Sequence, residues 1–335
     1  VSEQEPAALP WSEARARLAE LGFRPSRRMG QNFLVDGNLT RALVQDAGVQ
    51  AGDFVLEVGP GLGSLTGPLL EAGCDVLGVE LDSRLFELLQ DSLGSHERLK
   101  LLNTDALAGK HNLDEGLLGL LPGSGPWSLV SNLPYSISAP LLVVLSELEN
   151  PPLGISVLVQ QEVARRITAQ PGHGEWGPVS VRLQAAYEVR AGRKVGPAMF
   201  WPRPKVESLV VHLELRPGAS EPRQRSRRRE LSALTGALFQ RRRQGLGRVL
   251  GEVLGDRAAV GKLLEDLGLD PLRRAETLDI ETLWLLAASP LWRDRVQAEK
   301  RPGAEPVGER GDEGGDEGGD EGGDEGGDER AGPAE

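Results

Sequence analysis

A single cysteine, Cys74, stands in a chain of 335 residues, so an internal disulfide and a cysteine-rich metal cluster are both excluded. Its expected place is that of a small buried residue beside a strand. Histidine is scarce as well. His96, His111, His173 and His212 are scattered and show no ligand spacing such as two on one helical face, so no bound metal is expected. No apolar run reaches the roughly 18 residues that suggest a membrane span. The first ten residues lack the basic flank and apolar stretch of a secretory signal, and a cytoplasmic address is the expectation. A serine or cysteine triad pattern is missing too, which turns the search from nucleophiles to positioning residues.

What is present is unevenly spread. The net charge is −12, yet residues 303–335 hold 13 acidic and 2 basic residues and so carry −11 of it. Within them a Gly-Asp-Glu-Gly repeat runs from Gly311 to Glu329 with no apolar residue to offset the entropy of ordering, and disorder is expected there. The rest of the chain is near neutral and locally basic. Arg223, Arg225, Arg227, Arg228, Arg229, Arg241, Arg242 and Arg243 crowd between Arg216 and Arg248, a density suited to a phosphate backbone. An RNA partner is therefore compatible with the acidic total.

The length suits one large domain and a smaller one. Short apolar strands expected at 54–58, 76–80, 99–102, 127–131, 155–160 and 209–215 alternate with helical patterns such as 83–92 and 140–148. This alternation marks a doubly wound α/β domain with a parallel sheet. After Pro217 the strand signal stops, and 227–240, 247–253, 258–267 and 280–288 carry helical periodicity. The expected organisation is an N-terminal extension or helix over 1–23, the α/β domain over 24–217, a small all-helical RNA-binding domain over 218–302 and the acidic tail over 303–335.

Four features carry chemistry. Glu57-Val58-Gly59-Pro60-Gly61-Leu62-Gly63 lies between a strand and a helix that Ser64 is placed to cap, a turn whose missing side chains admit a nucleotide-like cofactor. Glu80, at the end of the next strand, is placed to accept hydrogen bonds from both ribose hydroxyls. This pair alone does not choose between a nicotinamide cofactor and S-adenosylmethionine. The glycines are spaced two and two, unlike the dinucleotide fingerprint, and Asp105 after the third strand is placed to accept from an adenine amine; both favour S-adenosylmethionine.

Asn132-Leu133-Pro134-Tyr135 follows the fourth strand, at the sheet edge where α/β domains bind ligands. An adenine amine is a poor nucleophile because its lone pair is delocalised into the ring. Acceptance of its two hydrogens by the Asn132 side-chain oxygen and by the Leu133 or Pro134 carbonyl would turn that lone pair toward a methyl donor. The Tyr135 ring is suited to stack on the base. No strong base is needed, and the catalytic contribution is orientation and local electrostatics.

Together with Gly30-Gln31-Asn32-Phe33-Leu34, Val79-Glu80-Leu81-Asp82, Asp105-Ala106, the segment from Phe200-Trp201-Pro202 to Lys205-Val206-Glu207-Ser208, Phe239-Gln240-Arg241-Arg242-Arg243 and Arg274-Ala275-Glu276, these motifs strongly resemble the small-subunit ribosomal RNA adenine dimethyltransferase family. The resemblance spans roughly residues 24–286. It implies a Rossmann-like S-adenosylmethionine-dependent methyltransferase domain with a small C-terminal helical domain, acting without a metal and as a monomer. By it, Asn32 and Leu34 help close over the cofactor, Gly59 and Gly61 face its methionine part, Glu80 holds the ribose and Asp105 reads the adenine. Asn132 lies between cofactor and substrate, and Phe200 is the second aromatic wall of the base pocket, opposite Tyr135.

The implied reaction dimethylates N6 of two neighbouring adenosines in a hairpin loop near the 3′ end of small-subunit ribosomal RNA within the pre-30S particle. Related enzymes of the large subunit share the catalytic motifs, and Arg274-Ala275-Glu276 favours the small-subunit branch. Trp176 stands where the family commonly has tyrosine, Gly245 and Gly247 are expected to loosen the segment after the arginines, and the acidic tail has no counterpart in the family pattern.

Overall fold

Apolar runs of five to eight residues are too short to bury a helix face but long enough to cross a sheet, and most of them do so here. The structure is a computed structural model that describes residues 8–26, 29–109 and 112–299. The acidic tail and its expected disorder lie outside the described residues. The strands in chain order are β1 (Phe33–Leu34), β2 (Phe54–Val58), β3 (Asp75–Glu80), β4 (Leu99–Asn103), β5 (Ser128–Asn132), β6 (Gly154–Gln160), β7 (Tyr187–Val195), β8 (Phe200–Trp201) and β9 (Ser208–Leu215).

Seven of these form one sheet in the order β4-β3-β2-β5-β6-β9-β7, and β1 pairs with β8 in a separate ribbon. The sheet is parallel from β4 to β6, whereas β9 runs antiparallel to both β6 and β7. The expected all-parallel sheet is thus extended at one edge by an antiparallel pair. Each face carries its own core: Leu56, Trp127, Leu141 and Val157 belong to one apolar cluster, Val55, Leu69, Leu89 and Leu158 to another.

Strand β7 escapes the apolar-run criterion for a physical reason. It is an edge strand whose Glu188, Ala191, Arg190, Arg193 and Lys194 are partly or fully in water, with a register irregularity between Ala191 and Lys194. Charge and a bulge are how an edge avoids pairing with another chain. The β1–β8 ribbon, at two residues a strand, is too short to show any period. Helix Trp11–Glu20 braces it: Ala14 and Leu18 cluster with Phe33, and Trp11 lies 5.5 Å from Trp201 between ring centroids.

Ser64 does not cap the helix after the glycine turn. The turn continues through residue 65, the helix is Thr66–Glu71, and its N-cap position is Leu65, with no side-chain cap bond. Its first residue, Thr66, instead sends its hydroxyl to Glu57.

Beyond β9 the chain is helical, with Pro222–Phe239, Leu246–Leu254, Arg257–Asp266, Ile280–Ala288 and the unforeseen Pro290–Glu299. Their core is not self-contained. Leu234, Leu238, Leu250 and Leu283 share a cluster with Ala169, Trp176 and Val181, which precede the expected boundary at 217. Trp176 is fully buried, and its indole N–H donates to the Leu278 carbonyl at 3.0 Å, so a boundary in sequence is not one in packing. A buried carbonyl left without that donor would cost about 1–3 kcal/mol.

Gly245 and Gly247 do not loosen their segment. A Cβ at Gly245 would lie 2.9 Å from the Pro271 carbonyl oxygen, and one at Gly247 would lie 2.9 Å from the Pro271 Cβ. Their missing side chains let the turn before Arg274 seat against the helix start.

Candidate active site

The chain leaves β2 for β3 and β4 on one side, then returns to lay β5 and β6 on the other, so β2 and β5 flank the point where strand order reverses. Ligands of open α/β sheets bind at the carboxyl ends of strands there. This topology sets four residues, far apart in sequence, in a row along one edge: Asp105 beyond β4, Glu80 ending β3, the glycine turn after β2, and Asn132 ending β5. β2 and β5 pair only at Val55–Ser128 and Leu56–Leu129. Past that, the Ser131 hydroxyl donates to the Val58 carbonyl at 2.6 Å, clasping the two strand ends that carry the motifs.

A cavity of about 390 Å³ occupies this edge. Asn32, Leu34, Gly59, Gly61, Glu80, Asp105, Asn132, Leu133, Pro134 and Tyr135 all line it, so ten of the eleven residues singled out from the sequence meet at one place. The eleventh, Phe200, is a ribbon residue of β8, is 4% exposed and clusters with Leu34 and Val210; it is not among the residues that line the cavity.

The glycines serve the surrounding protein as well as any ligand. Gly59 and Gly61 have φ of 75° and 57°, a region that favours glycine. A Cβ on Gly59 would come within 3.2 Å of the Pro134 ring, and one on Gly61 within 3.1 Å of the Phe33 ring. The bare turn therefore seats the Asn-Leu-Pro-Tyr motif on one side and Phe33 of β1, which ends the Gly30-Gln31-Asn32 segment, on the other.

That segment is tied down at both ends of the cavity. The Asn132 side-chain amide donates to the Asn32 carbonyl at 2.9 Å, which commits its nitrogen and leaves its oxygen as the acceptor end. The Asn32 side chain donates to the Gly30 carbonyl at 3.1 Å. At the other end, the Gln31 side chain donates to Asp82 at 3.1 Å, and Asp82 is also held by Arg84, whose guanidinium lies 4.6 Å from the centroid of the Phe23 ring. Gln31 lay inside a motif already noted; nothing in its type or spacing marked it as a tether.

Glu80 is buried and accepts from the Gly61 N–H at 3.0 Å and the Asp82 N–H at 2.9 Å, while Asn103 donates to its backbone carbonyl at 2.7 Å. Burial holds its carboxyl above the usual range. Asp105 is exposed and takes the Leu107 N–H at 3.0 Å, which fixes one of its oxygens. Tyr135 is half-buried; its hydroxyl lies 3.5 Å from that of Ser208, and burial pushes the phenol up, so it stays neutral. The Pro134 carbonyl already accepts from the Ile137 N–H at 3.2 Å, leaving its second lone pair.

A second carboxyl, quoted from the sequence as the start of the glycine motif but given no role there, lines the same cavity. Glu57 is 2% exposed, takes the Thr66 hydroxyl at 2.7 Å, and is pushed up to about 8, chiefly by burial. The folded carboxyl keeps its proton up to about 8, whereas the unfolded one loses it near 4.5. The folded state thus binds more protons in that window, and its stability falls as pH rises through it. Glu57→Gln has no such proton to lose, so its stability relative to the parent should climb between about pH 5 and about pH 8.5 in thermal melts. A difference independent of pH would remove the assignment.

The arginine cluster divides. Arg228 is 8% exposed and donates to the Ala219 and Ser146 carbonyls, Arg225 pairs with Glu149 at 3.3 Å, and Arg227 lies 5.0 Å from the centroid of the Trp284 ring. Arg225 and Arg228 hold the helical unit to the α/β part and Arg227 joins two helices within the unit, which corrects the expectation of a phosphate-reading cluster for these three. Arg223, Arg229, Arg241, Arg242 and Arg243 are exposed. Cys74 is buried, as expected, and burial pushes its thiol up to about 11. Among the described residues, no group of three or more histidine, cysteine or acidic side chains is placed to hold a metal, and no helix is long and apolar enough to cross a membrane.

The sequence profile of the ribosomal RNA adenine dimethylase family matches residues 22–286. The ribosomal RNA small subunit methyltransferase A of Leifsonia xyli subsp. xyli is 43% identical over 278 residues, covering 81% of this chain and 95% of that protein. The protein of the same description from Mycobacterium tuberculosis is 37% identical over 276 residues, covering 81% and 84%. Among solved structures, a dimethyladenosine transferase from Plasmodium falciparum aligns with a TM-score of 0.65 at 22% identity, covering 79% of this chain and 98% of that one. The 23S rRNA methyltransferase ErmE aligns with a TM-score of 0.57 at 23% identity, covering 79% and 99%. These two likenesses show that the chain shares the fold of those two proteins.

Proposed function

The chain belongs to the ribosomal RNA adenine dimethylase family, and from that premise we propose that it moves methyl groups from S-adenosylmethionine to N6 of two adjacent adenosines in small-subunit ribosomal RNA. The target is a hairpin loop near the 3′ end, met within the pre-30S particle during subunit biogenesis. The protein acts in the cytoplasm as a monomer. The observation that carries the reading is the Asn132 amide, pinned through its nitrogen by the Asn32 carbonyl so that an incoming amine meets an acceptor.

The residues present fit the cofactor. A cavity of about 390 Å³ is within the range of small-molecule sites, and it sets a buried carboxylate beside a glycine turn. Glu80 would take the ribose hydroxyls, Asp105 the adenine amine, the Gly59–Gly61 turn the methionine part, with Asn32 and Leu34 closing above. When bound, S-adenosylmethionine supplies an electrophilic methyl on a sulfonium. The chain's own task is to hold the target amine in line with it. Asn132 and the Leu133 or Pro134 carbonyl accept the amine hydrogens, which localises the nitrogen lone pair, and Tyr135 stacks on the base taken out of the RNA. Phe200 would form the second wall as the base enters beside Tyr135.

The test is incubation of the protein with labelled S-adenosylmethionine and undermethylated small subunits, followed by mapping of the label. Two adjacent dimethyladenosines near the 3′ end are expected. Label elsewhere in the small-subunit RNA, or on a base other than adenine, would overturn the proposal.

A further inference from the structure

The acidic charge of the chain is gathered in one segment that the methylation cavity does not use. Residues 311–329 hold five Asp-Glu pairs, one every four residues, with glycine between them and no apolar side chain. In extended form that places two negative charges about every 13 Å. A nucleic-acid strand carries a phosphate about every 3.4 Å. The repeat is thus a polyanion of roughly half that charge density, without bases.

A matching surface lies on the helical unit. Arg241, Arg242, Arg243 and Arg248 lie in and just before helix Leu246–Leu254, and Arg273 and Arg274 on the turn beside it; all are exposed. The Leu246 N–H donates to the Arg273 carbonyl at 2.7 Å and the Gly247 N–H to the Pro271 carbonyl at 2.9 Å, which holds the two segments side by side. Glu252 takes up Arg241 and Arg248, and Glu276 lies 3.9 Å from Arg274. Arg242 donates to the Gly174 carbonyl at 3.5 Å, and neither it nor Arg243 has a carboxylate partner among the described residues.

The route between the two is short. Helix Pro290–Glu299 packs on Pro222–Phe239 and on Leu246–Leu254, and it is fixed there by the Trp292 indole N–H, which donates to the Glu230 carbonyl at 3.1 Å, and by Arg293, which pairs with Glu230 at 3.3 Å. Gly311 follows 12 residues after Glu299. Those residues can span up to about 40 Å, more than the roughly 30 Å diameter of a unit of about 80 residues. A tether of that length sets an effective concentration on the order of millimolar.

We propose that the Asp-Glu repeat of residues 311–329 docks on this arginine face of its own chain, with carboxylates on Arg242, Arg243 and their neighbours, so that RNA reaches the face only by displacing it. The repeat offers no base or ribose, so it opposes only the sequence-independent, phosphate-dependent part of RNA binding. RNA that makes further contacts elsewhere on the protein displaces it; RNA with only phosphates to offer is held back most. The docking does not depend on which RNA is methylated, and its consequence rests on RNA as the partner.

The experiment compares the parent with a full-length variant whose five pairs are neutral: Asp312→Asn, Glu313→Gln and the same exchange at the pairs 316–317, 320–321, 324–325 and 328–329. In NMR spectra without RNA, the side-chain Nε–Hε signals of Arg242 and Arg243 should differ between the two proteins at low salt and coincide at about 0.5 M salt. Identical signals at low salt would overturn the proposal even if RNA binding changed, since neutral pairs also relieve general repulsion of RNA. A uridine oligonucleotide should bind the variant about tenfold more tightly at low salt, with a steeper salt slope, because bare arginines release counterions whereas occupied ones exchange one polyanion for another. Equal affinity and equal slope would overturn the competition. The arginine signals are read without RNA, so failure of the substrate reading does not mimic failure of the docking.

Discussion

Asn132→Ala is expected to lower the rate of methyl transfer by about 10²–10³-fold, the scale set by loss of one preorganised polar contact to the reacting group. Binding of S-adenosylmethionine should change by less than about tenfold, because the variant leaves the Glu80 end of the cavity intact. The residue ends β5, Ser131 clasps that strand to β2, and the Asn32 carbonyl holds the amide nitrogen, so the acceptor oxygen is fixed before any ligand arrives. Single-turnover transfer to undermethylated small subunits, read beside cofactor affinity from calorimetry, distinguishes the two effects. Should rate and affinity fall together by the same factor, Asn132 would be a cofactor ligand alone. Asn132→Asp offers a finer comparison. Its carboxylate repels the Asn32 carbonyl instead of donating to it, so the oxygen remains while its orientation is lost, and a fall close to that of the alanine variant is expected.

Legibility in the sequence followed the physics of each element. Strands buried on both faces, such as Val55 to Val58 and Ile155 to Val159, advertise themselves as apolar runs, and their carboxyl ends could be aligned with the motifs before any contact was known. Strand β7 could not, because an edge strand is selected for charge as much as for burial. Within the site, Glu80, Asp105 and Asn132 were readable because each stands at or just beyond the carboxyl end of a strand. Gln31, Ser131 and Thr66 were not, since their importance lies in a single hydrogen bond to a distant or buried partner, a relation with no period and no spacing. Glu57 sat in plain view, and only its burial beside Thr66 separates it from a surface acid. Gly245 and Gly247 misled for the converse reason. Propensity treats glycine as loose, whereas a close neighbour 26 or 24 residues further along makes it a packing requirement.

Glu80→Ala is expected to weaken S-adenosylmethionine binding by at least about 10²-fold in calorimetry. A hydrogen bond to a charged group is worth about 1.5–3 kcal/mol, and two ribose hydroxyls would be lost together. The same carboxylate also holds the Gly61 and Asp82 N–H groups, so a collapsed glycine turn is a competing cause. A cofactor analogue lacking a ribose hydroxyl separates them. Against the parent the analogue should bind more weakly than S-adenosylmethionine; against Glu80→Ala the two should bind alike, since the partner of that hydroxyl is already gone. An analogue penalty that persists in the variant would place the ribose elsewhere. Acidification gives an independent check. Burial raises the Glu80 carboxyl, and only its ionised form accepts from both hydroxyls, so affinity should begin to fall at a pH above the ordinary carboxylate range as the acid regains its proton. Glu80→Ala should lack that step.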